Sequence, residues 1–336
     1  MGTSTTDKGF HKFFWPRIIA GILITIGLIW GLIFTMNFFK PVPGGRHTAA
    51  VNQTANQKAV ESGAEKEKTG MANHATPEAK KTIFTDPPGV MFVDSLIAPL
   101  EYELTKRFWG WRPNDIINFT DNVNEIQLGV LEATRRATVA LTERLSRTGS
   151  TAPLDNDLER AMNDLMIKAD SYWFPTPESK YREAIAEMRK YQTKVRRHET
   201  GFYTRADNLI PLLKSFQELL GSCDDSLAKQ KEKDGTVVST FDADNYVYYA
   251  KGVAITIESV LKGVEHDFKK TLKTRNALNI IHHAIEDCHV AAEINPWFVV
   301  TEGNLSGIFA NHRANMAAPI SHTQFYINLL IKALST

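Results

Sequence analysis

The chain has 336 residues, of which 43% are hydrophobic, so it can bury at least one sizeable core. Lys plus Arg number 39 against 38 for Asp plus Glu, which leaves no basic excess for phosphate backbones and makes nucleic acid a poor partner. Two cysteines, Cys223 and Cys288, exclude a disulfide-dense scaffold and a four-cysteine zinc site.

Residues 1–17 form a short polar start carrying Lys8, Lys12 and Arg17. From Ile18 to Phe39 there is no charge, and "IIAGILITIGLIWGLIFTM" fills Ile18 to Met36. About twenty apolar residues are what a helix needs to cross a hydrocarbon core of roughly 30 Å. A cleaved signal peptide is the competing reading, but its apolar region is shorter and small residues follow it closely. Here Asn37, Phe38, Phe39, Lys40 and Pro41 follow, and small residues first gather near Ala50, so an uncleaved transmembrane helix is expected. Phe13, Phe14 and Trp15 sit where an interfacial aromatic belt belongs. Only Lys40 and Arg46 follow the span closely, and the charge bias favours a cytoplasmic N-terminus with the remainder outside the cytoplasm, in the periplasm of a Gram-negative cell. A tail of 17 residues is too short for a cytoplasmic output domain. Gly27, Gly31 and Thr35 lie four apart, a spacing that permits close helix packing and a homo-oligomer, although glycine is also simply common in membrane helices.

Residues 40–86 are rich in Ala, Gly, Asn, Gln, Lys and Glu, with little to bury, and read as a flexible tether. As a coil such a segment spans on the order of 40 Å.

From residue 87 to 336 apolar residues recur at helical spacing. The pattern predicts a helix over Met91–Phe108, ended by "WGWRPND", where Pro113 interrupts and Asn114 or Asp115 can cap the next. That next helix runs to about Arg147, and another follows over Leu154 to about Trp173. Thr176 as N-cap and Pro177 in the first turn open a helical stretch to about Lys231, broken near Gly201 and kinked at Pro211. Lys229–Thr240 reads as an exposed connection, in which "TVVSTF" alone has strand character. A long helix over Asp242–Ile294, a short one over Leu305–Asn311 and a last one over Ser321–Leu334 complete an all-α bundle of at least six helices.

The N-terminal span, the tether, "GWRPND" at Gly110–Asp115, "FPTPESKY" at Phe174–Tyr181 and "NHRANMAAPI" at Asn311–Ile320 together resemble a family of bacterial envelope proteins catalogued as a domain of unknown function, family 2333. The resemblance implies an inner-membrane location and brings no catalytic residue or cofactor with it.

The line "IIHHAIEDCHVAAEINPWF", Ile280–Phe298, concentrates residue types common in sites. At 100° per residue His282, Glu286, His289 and Glu293 share a stripe of about 60°, while Ile280, Ile281, Ala284, Ile285, Cys288, Ala291 and Ala292 form the opposite side. A solvated or interhelical polar face explains this, as does a partner contact. Glu286 and His289 make a Glu-x-x-His pair, but a di-iron bundle wants a second one, and no other histidine has Glu three positions before it. A zinc ion on His282, Glu286 and His289 is the metal alternative, without the His-Glu-x-x-His order of zinc proteases. Cys288 lies on the apolar side, where cysteine behaves as a small hydrophobe; a Cys223–Cys288 disulfide is the other use for the pair. No Gly-x-Ser-x-Gly elbow and no Gly-x-x-x-x-Gly-Lys loop is present. Trp109 and Trp111 read as core or helix-end packing rather than as a ligand platform or membrane-touching patch. His312, Arg313 and Asn315, between two predicted helices, form a second polar cluster suited to an anion clamp or to capping.

These features favour a non-enzymatic, membrane-anchored helical scaffold or adaptor working with envelope proteins and using no cofactor. The alternatives are a zinc-dependent hydrolase on an envelope substrate and a small-molecule-binding bundle signalling to a membrane partner.

Overall fold

The computed structural model describes residues 86–115, 121–149, 151–296 and 310–336, all within one compact unit, Ala79–Thr336. The tail, the apolar span with Gly27, Gly31 and Thr35, the tether before residue 86, and most of the short helix expected over Leu305–Asn311 lie outside the described residues. Among the described residues no helix is long and apolar enough to cross a membrane.

The described chain is all-helical: α1 (Val90–Thr105), α2 (Asp121–Ala140) running into a π turn (Leu141–Leu145), α3 (Asn156–Leu165), α4 (Pro177–Arg196), α5 (Ala206–Ala228), α6 (Thr240–Asp267), α7 (Lys269–Thr274), α8 (Leu278–Glu293) and α9 (His312–Ser335). No strand is formed among the described residues; Lys231 and Val237 make an isolated bridge. "TVVSTF" is instead the run-in to α6, where Ser239 and Asp242 form a reciprocal capping box.

The longest helix, α6, is the axis of the bundle and packs against α1, α2, α5, α8 and α9. Its crossing of α2 is very close because both helices present glycine there. A Cβ on Gly129 would lie 2.2 Å from the Tyr249 carbonyl oxygen, and one on Gly252 would lie 2.1 Å from that of Ile126. The crossing of α1 is also tight. Pro99 inside α1 has no N–H for the Ser95 carbonyl, and the Ser259 hydroxyl of α6 donates to that oxygen at 2.6 Å instead. The core is continuous through Phe92, Leu96, Leu100, Phe216, Val253, Ile257, Phe268 and Ile327, all fully buried.

Three expected boundaries move. The helix begun after the 148–153 loop stops at Leu165, not near Trp173, because its last carbonyls are captured from the side: Arg135 donates to Leu165 and Ile167 at 2.7 Å each, and Tyr181 donates to Ile167 at 2.7 Å. The stretch Asp242–Ile294 is three helices: α6 ends at its C-cap Phe268, whose backbone leaves the helical region (φ −95°, ψ 11°), and α7 is parted from α8 because Asn276 adopts a left-handed conformation (φ 51°). The Ala277 N–H then reaches the Leu272 carbonyl and the Asn276 N–H that of Lys273, closing the Schellman turn that lets α8 fold back along α6. The last helix begins at His312, nine residues before Ser321, and runs through Pro319.

Other expectations hold. Thr176 accepts from the Ser179 N–H as the N-cap of α4, with Pro177 in the first turn. The break near Gly201 falls between Arg196 and Ala206.

Candidate functional site

The polar stripe of α8 faces α6. Residues 251, 258 and 265 of α6, seven apart, meet Glu293, His289 and His282 of α8 in antiparallel order. His289 Nδ1 is 3.1 Å from Glu258 Oε1, which also accepts from Lys262 Nζ at 2.6 Å. His282 Nδ1 lies 3.8 Å from Glu265 Oε1, and its Nε2 lies 3.4 Å from Glu286 Oε1. Lys251 donates to the Ile294 carbonyl at 2.8 Å; burial pushes this ammonium below its ordinary value, against the pull of the Glu293 carboxylate. His283, outside the stripe, pairs with Glu286 at 3.1 Å and stacks on Tyr326 of α9 with ring centres 5.1 Å apart. His282 and Glu286 thus lie side by side, while His289 pairs with Glu258 on α6. Among the described residues no three His, Cys, Asp or Glu side chains are grouped to hold a metal ion.

The apolar side of α8 is in the core as expected, with Ile281, Ala284, Ile285, Cys288 and Ala291 buried. Cys223 and Cys288 are both buried free thiols rather than a disulfide, and burial pushes each up to about 12. Neither is placed to act as a nucleophile.

His312, Arg313 and Asn315 are not a loop clamp: they occupy the first turn of α9, capped by Asn311, which accepts from the Ala314 N–H at 2.9 Å. Arg313 is buried, and its Nε donates to the Leu227 carbonyl at 2.8 Å while Nη2 donates to that of Lys229. It closes the C-terminus of α5, whose last carbonyls have no helical acceptor role left. His312 is half-buried and Asn315 exposed.

The two loops that meet beyond the C-terminus of α1 and the N-terminus of α4 form a different kind of surface. "GWRPND" is held rigidly there. Glu103 is buried and takes both Nε and Nη2 of Arg107 at 2.6 Å. Gln127 donates to Glu103 at 3.1 Å and to the Gly110 carbonyl at 2.8 Å, and accepts from the Arg112 N–H at 2.9 Å. Trp111 is fully buried, edge-on to Tyr181, and donates Nε1–H to the Ala169 carbonyl at 3.1 Å, which ties the two loops together.

Around this buried anchor, five aromatic side chains point into solvent: Phe108 is 59% exposed, Trp109 64%, Tyr172 56%, Trp173 80% and Phe174 92%. The expectation for the two tryptophans therefore divides, with Trp111 in the core and Trp109 outside. Trp109 has φ 69°, a conformation that bulky residues rarely adopt, and it stacks on Phe108 with centroids 5.1 Å apart. Tyr172 and Trp173 pack edge to face at 5.8 Å. Beside them is a groove of about 620 Å³ whose walls include Asn114, Asp115, Tyr172, Trp173, Phe174 and Glu178. Two of the cations at this pole are paired: Arg112 lies 3.5 Å from Asp115 and Lys168 2.8 Å from Asp170.

The helical reading places Tyr172 and Trp173 in the last turn of a helix and Phe174 in the turn after it, whereas the helix stops at Leu165. A sign is present, since these rings fall outside any 3.6-residue stripe and directly precede a Pro-Thr-Pro turn.

The family model described as "Uncharacterized protein conserved in bacteria (DUF2333)" matches residues 57–240 and 229–335. No curated protein and no solved structure matches the chain. The two matched stretches overlap in the α5–α6 connection and together take in the whole helical unit, so the chain belongs to this DUF2333 family of bacterial proteins.

Proposed function

We propose that this protein is a non-enzymatic, membrane-anchored helical scaffold or adaptor of the bacterial envelope. In this reading Ile18–Phe39 is the inner-membrane anchor, the N-terminus is cytoplasmic, residues 40–86 are the tether and the helical unit works in the periplasm. The observation that carries it is the aromatic pole. Five exposed rings, in two groups on loops that Trp111 ties together from behind, are a surface prepared for docking, because exposed large aromatic side chains gathered in this way are seldom left in water. The reading is also supported by His289, which pairs with Glu258 across α8 and α6, and by Arg313, which closes the end of α5.

A photoactivatable diazirine residue at position 173 in intact envelopes tests the reading. Adducts with envelope protein, envelope lipid or a second copy of the chain are expected from this position and not from the exposed position 214 on α5. No adduct above that of position 214 removes the reading.

A further inference from the structure

We infer that the aromatic pole is a shallow lipid-interface contact, through which the tethered helical unit docks on a bilayer surface; this rests on the anchored-scaffold reading and names the occupant of its docking surface. Three observations point to lipid. The first is shape and chemistry. Trp173 and Phe174 project at a loop tip, and Tyr and Trp carry an apolar ring with a polar edge, the combination enriched at the headgroup level of membranes. Tyr172 packs edge to face on Trp173, while Trp173 at 80% and Phe174 at 92% exposure keep most of their ring surface in solvent.

The second is charge. A contact drawn to anionic headgroups needs unpaired cations, whereas here Arg112 and Lys168 are paired with Asp115 and Asp170. Paired charges lower the penalty for approaching hydrocarbon and predict insertion that depends on aromatic surface and not on lipid charge.

The third is reach. The tether ends at Asp86, beside the start of α1, and the 16 residues of α1 separate that point from the pole by about 24 Å. On the anchored-scaffold reading residues 40–86 are the tether, and a coil of that length spans on the order of 40 Å, enough for the pole to reach the bilayer that holds the anchor or a second one.

The test uses the full chain reconstituted in phosphatidylcholine vesicles, with Ser171→Cys carrying an environment-sensitive fluorophore; the buried native thiols remain unlabelled. A quencher is attached to lipid either in the host vesicles or in a second, bare population. Quenching by the host lipid supports docking on the same bilayer, and quenching by the second population supports bridging of two. Trp173→Ser combined with Phe174→Ser is expected to lower the quenched fraction about tenfold or more, with circular dichroism unchanged. Raising salt is expected to leave the wild-type signal in place.

Quenching by neither population overturns the inference. So does quenching that requires anionic lipid and disappears in salt, or a fluorescence shift that follows only the addition of envelope protein. That last result leaves the adaptor reading standing. Resistance of the chain to alkaline carbonate extraction reports the anchor separately. A chain that is extracted can still be floated with bare vesicles, where the double variant again decides.

Discussion

Asp267 at the end of α6 serves as the N-cap of α1, 178 residues before it in the chain: its Oδ2 accepts from the Gly89 and Phe92 N–H groups at 2.8 Å each. Gly89 itself supplies no side chain, and Oδ1 of the same carboxylate is held by His266 Nδ1 at 2.8 Å. A carboxylate at a helix N-terminus is favoured by the unpaired N–H groups and by the helix dipole. Asp267→Ala therefore leaves two buried donors unpaired and is expected to cost about 1–3 kcal/mol, with Asp267→Asn milder because its amide oxygen still accepts. Urea denaturation of the two variants checks the order. Gly89→Ala is expected to be destabilising as well, since φ is 103° and a Cβ would lie 2.5 Å from the Phe202 ring.

The α2–α6 crossing makes a sharper steric prediction. Gly252→Ala places a methyl group 2.1 Å from a backbone oxygen, which no rotamer change relieves, so the helices must separate. A loss of about 2–3 kcal/mol or more is expected, read as a lower thermal midpoint. Gly235→Ala, in the exposed connection where nothing lies within 4 Å but φ is 89°, should cost only about 1 kcal/mol through backbone strain.

How much of this was legible in the sequence follows the range of the interactions. Stripes such as Leu96, Leu100 and Leu104, and the Thr176-Pro177 start, are set by neighbours within one or two turns and were readable as helices. The fold-back at Asn276 was missed because one residue entering the left-handed region leaves hydrophobic periodicity almost untouched on both sides. The expected start of the last helix, Ser321, lies nine residues inside α9, which begins at His312 and continues through Pro319. The stripe from His282 to Glu293 was visible as a face, but its meaning lay in Glu258 and Glu265 on α6, and no local pattern encodes that pairing. Nor does local pattern say that Trp111 turns inward while Trp109, two residues earlier, turns out.

Arg313 provides a third test, because it is buried and its guanidinium closes the end of α5. Arg313→Met keeps the apolar stem and removes the donors to Leu227 and Lys229. The expected cost is about 1–3 kcal/mol. Amide hydrogen exchange should quicken locally, in the last turn of α5 and the first of α9, before any global change.

The two thiols give a chemical check on the core. Burial raises both Cys223 and Cys288 to about 12, so almost no thiolate exists near neutral pH and access is blocked as well. A thiol reagent should find no reactive cysteine in the native chain and two in the denatured chain, under both reducing and non-reducing preparation. Fewer than two in denatured, non-reduced protein would mean a disulfide and contradict the packing of α5 and α8.

The α3–α4 interface should govern acid sensitivity. Burial raises the Asp157 carboxyl, but its hydrogen bond to Lys194 at 2.8 Å and the nearby Lys194 and Arg160 charges more than offset this and hold it below its ordinary value. Glu187 is likewise lowered, chiefly by its hydrogen bond to Lys190 at 2.6 Å, with Arg160 at 2.9 Å adding to it against burial. A carboxyl whose folded value lies below its unfolded one contributes stability that is fully present above the unfolded value and is lost as pH falls through the folded value. For these two groups the unfolded values are 3.8 and 4.5, so the contribution is complete above about pH 4.5 and fades below it. Lys194→Met removes the main partner of Asp157 and also an ion pair to the α3 cap Asp155. Its thermal midpoint should therefore lie below that of the wild type at neutral pH, and the gap should narrow as the pH drops under about 4 and also as salt is added. A gap that stays constant through that range would assign the loss to the packing of the Lys194 stem, and the ion pairs would then not be the source of acid sensitivity.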